Sequence, residues 1–179
     1  MAIALLSTLS SLVVSAPHNT PTSNKLIPVV VGGAQSLFVP NVVRAKVGDV
    51  IQFQFSNGNH TVTQSDETSG CQPLQKTKPD AVHSGHIPFQ EGQKEVGTFN
   101  MPVANTEPMF LYCATGPHCQ IGQVMVVNPM NEEQVVNYAK VSAAAKENVD
   151  GAGVTGGAVG KIPVEAAAFI PAQKPEKKG

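Results

Sequence analysis

A chain of 179 residues with 41% hydrophobic content is long enough for one packed domain and its tails. Its formal charge is −1, and no basic stripe offers itself to a phosphate backbone, so a nucleic-acid partner is not expected. Aromatic residues make up 5% and tryptophan is absent, which removes the stacking platforms of single-strand binders.

The first sixteen residues are uncharged, apolar and rich in small side chains. They are too short to span a bilayer and end in Val14-Ser15-Ala16, which reads as a secretory signal over 1–16. The segment lacks Lys or Arg, and a cut after Ser15 avoids placing Pro17 next to the cleaved bond. Residues 17–25 form an extended polar leader. No later apolar run is long enough for a membrane span, so a secreted protein, extracellular or associated with the cell wall, is expected.

Strand signals fill 26–129, the expected domain. Ile27–Val31 is a β-branched run stopped by Gly32-Gly33, and Phe38-Val39 and Val42-Val43 flank a bend at Pro40-Asn41. Ile51, Phe53 and Phe55 alternate with Gln52, Gln54 and Ser56, the period of a strand with one buried face. Asn57-Gly58 then signals a hairpin, with His60–Gln64 as the returning strand. From 65 to 95 the chain is polar and broken by Pro and Gly; a loop of that length is functional or pinned down, and Cys71 offers the pin. Strands resume at Val96–Met101, Met109–Tyr112 and Gly122–Val127. About seven short strands of this kind predict an all-β Greek-key β-sandwich.

After Pro129 the pattern changes. Asn131-Glu-Glu-Gln134 resembles a capping box, and Val135, Tyr138, Ala139 and Ala143 follow helical spacing that Ser142 interrupts. One C-terminal amphipathic helix is expected, within 130–149, from Glu132 to about Lys146. The Gly/Ala-rich segment 150–179 reads as a flexible tail, without the apolar end that a lipid-anchor signal requires.

The chemistry gathers in Phe110-Leu-Tyr-Cys-Ala-Thr-Gly-Pro-His-Cys-Gln-Ile-Gly-Gln123. Here Cys113, His118 and Gln123 fall at five-residue steps in a loop between two apolar runs. A thiolate, an imidazole and a weak amide donor form a set that suits copper, provided a second histidine joins them. Five histidines are available. His18 lies in the leader and His83 and His86 in the long loop, where they read as decoration. Only His60 begins a strand that a Greek-key fold could bring beside the Cys113–His118 loop. Three cysteines, Cys71, Cys113 and Cys119, are an odd count that one bridge and one metal ligand account for. Met125, on the same strand face as Gln123, is a rival axial donor. A zinc site of Cys113, Cys119, His60 and His118 is a rival constellation, although adjacent His118 and Cys119 point apart in an extended segment. A histidine-brace copper oxygenase requires an N-terminal histidine, which His18 is not. A thiol protease built on Cys113 and His118 lacks an oriented base. Asn59-His60-Thr61 is also an N-glycosylation sequon; with His60 turned inward, Asn59 faces out.

Tyr-Cys-x₄-His-Cys-x₂-Gly-Gln, with Asn59-His60-Thr-Val upstream, resembles the blue-copper cupredoxins, both plant phytocyanins and fungal extracellular (serine-rich) cupredoxin-like proteins. The fungal likeness runs from about Ile27 to Asn128 and includes Cys71-Gln-Pro-Leu74 and Val126-Val-Asn-Pro129. Many fungal members carry Met where this chain has Gln123, the residue found in the stellacyanin branch of the phytocyanins, and this chain is not notably serine-rich. The resemblance implies a disulfide between Cys71 and Cys119, leaving Cys113 to the metal. It further implies one type 1 copper ion, Cu2+/Cu+, held by His60, Cys113, His118 and Gln123 in a single-electron carrier that is not an enzyme. The expected partner is an extracellular redox protein or a small-molecule reductant, and a monomer is expected. A copper-sequestering or cell-wall structural protein on the same scaffold is the alternative.

Overall fold

Short β-branched and aromatic runs separated by Gly, Pro and Asn build strands, and in the computed structural model, which describes residues 23–171, they do. The expected signal 1–16, His18 and the leader up to residue 22 lie outside the described residues. In chain order the strands are β1 (Leu26–Gly32), β2 (Leu37–Val39), β3 (Val42–Val43), β4 (Val50–Phe55), β5 (Gly58–His60), β6 (Thr63–Ser65), β7 (Ile87–Phe89), β8 (Glu95–Pro102), β9 (Met109–Tyr112) and β10 (Val124–Val127). Helix α1 (Glu132–Ala143) and strand β11 (Ala158–Pro163) follow.

One sheet has the order β11-β8-β4-β1-β2 and the facing sheet the order β3-β10-β9-β6; β5 and β7 form a separate pair. The result is a cupredoxin-like β-sandwich with one α-helix among the described residues. The alternation in β4 decides the core. Ile51, Phe53 and Phe55 are all fully buried and share one cluster with Phe38, Phe99, Leu111 and Met125. Each such aromatic ring stabilises the fold by about 1.5–3 kcal/mol relative to exposure.

Three expectations are corrected. No hairpin forms at Asn57-Gly58, because both edges of β4 are taken, by β1 in parallel and by β8 antiparallel. The chain crosses over instead: β5 pairs with β7 and β6 pairs with β9. Second, residues 150–171 of the expected 150–179 tail are not simply flexible, nor does the sandwich close at 129; residues 172–179 lie outside the described residues. Ala158–Pro163 pairs along β8, covering an edge that would otherwise present unpaired backbone groups. Third, the side chains of α1 that pack inward are Gln134, Tyr138 and Ser142, while Ala139 and Ala143 are exposed. The Tyr138 hydroxyl meets Ser65 Oγ at 2.7 Å, so a polar-edged face docks on polar groups of the sheet. At the helix start, Asn131 Oδ1 accepts from the Gln134 amide, while Gln134 Oε1 accepts from the Met130 amide at 2.9 Å rather than from the cap residue itself.

Candidate metal centre

The loop between β9 and β10 is closed at its base and folded on itself. The Cys113 amide donates to the Gln123 carbonyl at 3.0 Å, the Gln123 amide to the His118 carbonyl at 2.8 Å, and the His118 amide to the Thr115 carbonyl at 3.0 Å. Cys113 therefore leaves the end of β9, and Gln123 enters β10, side by side. His60 arrives from the end of β5. The Ala114 amide donates to Thr61 Oγ1 at 2.8 Å, which ties the strand after His60 to the residue after Cys113.

These contacts bring His60, Cys113 and His118 together, with one donor atom from each lying within 4.8 Å of the others. Cys113 Sγ is 3.8 Å from His60 Nδ1 and 3.5 Å from His118 Nδ1. His60, Cys113 and Gln123 are buried and His118 reaches the rim. Among the described residues this is the one cluster of such groups. Met125 is buried in the main core cluster, which Cys113 also joins.

The hydrogen bonds around His60 test whether a cation suits the pocket. Nε2–H of the neutral ring donates to the Asn57 carbonyl at 2.9 Å, which turns the Nδ1 lone pair toward Cys113. Gln123 Nε2 donates to the Leu37 carbonyl at 3.3 Å, aiming Oε1 at the same Nδ1 from 3.0 Å. Two acceptors thus face each other beside a sulfur, and a cation among them satisfies all three. Glycine at position 32 makes room: its φ is +111°, and a Cβ there would lie 2.6 Å from His60 Nε2.

Burial disfavours the charged form of both groups, the imidazolium of His118 and the thiolate of Cys113. Burial, with His60 close by, holds the His118 pKa below the ordinary histidine value, against a hydrogen bond that the ring donates to Gln123. Burial pushes the Cys113 thiol up, opposed by hydrogen bonds from Thr61 and Thr115. The Thr61 amide approaches Cys113 Sγ at 3.4 Å, a contact that stabilises negative charge on sulfur.

Cys71 and Cys119 form a disulfide, so Cys119 is withdrawn from any four-ligand zinc set. The bridge lies in a second cluster with Phe110, Tyr112 and Tyr138 and ties the long loop to the loop between β9 and β10. Asn59 is exposed, its Nδ2 3.2 Å from His86 Nδ1. Two groups escaped the sequence reading. Asn148, past the helix, donates through Nδ2 to the Cys113 carbonyl at 3.0 Å and the Gly116 carbonyl at 2.6 Å. His83 is not loop decoration but buried, and bonded to Thr63. No local signal announces either, because both act through long-range contacts.

The "Extracellular serine-rich protein" of Arthroderma benhamiae is 32% identical over 135 residues, covering 75% of this chain and 51% of the relative. The "Probable GPI-anchored cupredoxin-1" of the same fungus is 30% identical over 125 residues, covering 69% of this chain and 62% of the relative. The chain resembles these fungal cupredoxin-like proteins over most of its length. It spans about half to three-fifths of the length of these two relatives. No protein-family model matches it. Solved structures similar to this chain include reduced auracyanin from Roseiflexus castenholzii, with TM-score 0.42, 12% identity and coverage of 60% of this chain and 97% of that one. Pseudoazurin from Methylobacterium extorquens AM1 aligns with TM-score 0.35, 17% identity and coverage of 69% and 88%.

Proposed function

We propose that this chain holds one type 1 copper ion through His60, Cys113 and His118, with Gln123 as the weaker axial donor, and carries single electrons outside the cell. The observation that carries the reading is the buried His60–Cys113–His118 cluster, with Gln123 Oε1 aimed at the same imidazole nitrogen. Copper held there supplies one-electron exchange between its cupric and cuprous states. The chain's own part is to orient and to shield. The Asn57 carbonyl selects the His60 tautomer, the Thr61 amide steadies the sulfur, and the buried His60, Cys113 and Gln123 side chains keep water away. His118, half-buried at the rim, is the edge through which a partner or a small reductant exchanges an electron. As a further donor to that copper, the amide oxygen of Gln123 would favour the cupric state more than a thioether would, and so would hold the potential lower.

Secretion is supported by the opening signal-like segment, by the disulfide, which persists in oxidising compartments, and by the relatives' names, one extracellular and one GPI-anchored. Among the described residues no helix is long and apolar enough to cross a membrane. The work assigned to the chain is electron transport rather than catalysis. Visible absorption and EPR spectra of the purified protein with one equivalent of copper test the reading. An intense thiolate-to-copper charge-transfer band with a narrow hyperfine splitting is expected, and is abolished by Cys113→Ser. A colourless, normally split cupric spectrum overturns it.

A further inference from the structure

Behind the metal cluster a chain of side-chain hydrogen bonds leads to a buried histidine that the electron-carrier reading does not use. His83 has 3% of its surface exposed. Its backbone is fixed on both sides, bridged to Thr63 and to Thr155. Its ring lies against Gly151, where a Cβ would come within 2.5 Å of ring carbon Cγ. Nδ1 meets Thr63 Oγ1 at 3.0 Å, and Thr63 Oγ1 meets Thr61 Oγ1 at 2.8 Å. Thr61 belongs to the metal centre's surroundings: its Oγ1 accepts from the Ala114 amide, and its amide points at Cys113 Sγ. On the far side of the ring, Nε2 lies 3.6 Å from Asp150 Oδ1, and Asp150 Oδ2 accepts from His86 Nε2 at 2.7 Å.

A hydroxyl has one proton to give and two lone pairs to receive, so the sense of this chain follows from its ends. The Ala114 amide can only donate. With His83 neutral, the nearby Asp150 carboxylate keeps the ring proton on Nε2. Nδ1 is then an acceptor, so Thr63 donates to His83 and Thr61 donates to Thr63. With His83 protonated, Nδ1–H donates to Thr63, and Thr63 must turn its proton to Thr61. Both lone pairs of Thr61 are then filled, and its own proton is freed to turn toward Cys113, whose Sγ already lies 3.4 Å from the Thr61 amide.

We propose that His83 is a positioning residue of the metal centre, whose protonation reverses the Thr63–Thr61 hydroxyl chain and delivers a hydrogen bond to Cys113 Sγ. The inference rests on the copper-carrier reading. A hydrogen bond to the sulfur stabilises the reduced, more negative thiolate, so acid raises the reduction potential. The proton comes from solvent through the exposed Asp150 and His86, and no other bond changes. Asp150 and His86 are the ionisable groups facing the ring; the Tyr112 phenol, near Asp150, is kept neutral by burial. Desolvation lowers the His83 pKa, Asp150 raises it and His86 lowers it, with a net downward shift, so the step falls on the acid side of the ordinary histidine range.

The test is voltammetry of the copper-loaded full chain against pH, for the wild type, His83→Gln and Thr63→Val. Absorption spectra are recorded alongside, with NMR titration of the histidine rings in the metal-free proteins. The wild type is expected to show a potential that falls through one step as pH rises, and a charge-transfer band at higher energy on the acid side. Both effects disappear in His83→Gln. They disappear also in Thr63→Val, although His83 still titrates there. Any pH dependence common to all three proteins belongs to the ligands themselves. Equal profiles in the three proteins overturn the proposal, and so does a step kept in Thr63→Val but lost in His83→Gln, which would make His83 a through-space charge. Absence of the blue band from the wild type would instead overturn the copper-carrier reading.

Discussion

Removing the Cys71–Cys119 bridge separates the stability of the fold from the chemistry of the site. Both cysteines are fully buried, and 48 positions of sequence separate them. In the chain-entropy model a closed loop of that length constrains the unfolded chain by about 4 kcal/mol at 25 °C. For a domain of this size each 1 kcal/mol moves Tm by about 2–4 °C, so the double variant Cys71→Ala/Cys119→Ala should melt roughly 8–16 °C lower. The space left by two sulfurs adds a further loss of about 1–2 kcal/mol. Guanidinium titration read by circular dichroism measures the free energy, and reduced wild type, which keeps its sulfurs, isolates the cross-link from the cavity. The ligand loop retains its own closing hydrogen bonds, so the copper-loaded variant should stay blue at temperatures where it is folded. A total loss under about 2 kcal/mol would refute the entropic account. Loss of colour in a folded variant would refute the assignment of Cys119 to structure and favour a two-cysteine metal site.

Replacing the amide donor, Gln123→Met, should raise the reduction potential in voltammetry, because a thioether favours the cuprous state; an unchanged potential removes Gln123 from the axial place. In the metal-free protein the Cys113 pKa is raised by burial, so the thiol is protonated at neutral pH and must release its proton on binding. Copper affinity should then climb about tenfold per pH unit until pH passes the elevated thiol pKa, measured by chelator competition; a flat profile between about pH 6.5 and 8 contradicts that burial. Asn148→Ala deletes both bonds from Nδ2 to the metal loop. It should speed copper loss to a chelator severalfold and broaden the EPR hyperfine lines, with a loss of folding stability of only about 1–3 kcal/mol.

Some of this protein is written locally in its sequence. The two-residue period of Ile51, Phe53 and Phe55 fixes which face of β4 is buried. Asn131 marks the start of the helix, because a short polar side chain there satisfies a free amide of the first turn. Cys113, His118 and Gln123 stand out because soft donors at regular spacing in one short loop have few other uses, and the structure gathers all three beside His60. What tertiary structure decided is pairing and orientation. Asn57-Gly58 carries a hairpin signal, yet β4 has no free edge, so the turn leads to the other sheet. Ala158–Pro163 has no residue in the buried class and therefore no hydrophobic period to read, yet it completes an edge. His83 looks like a loop residue until Thr63 and Thr155 close around it. Local pattern reports which face of an element is apolar; only the assembled sheets report which edge is vacant and which polar groups are buried together.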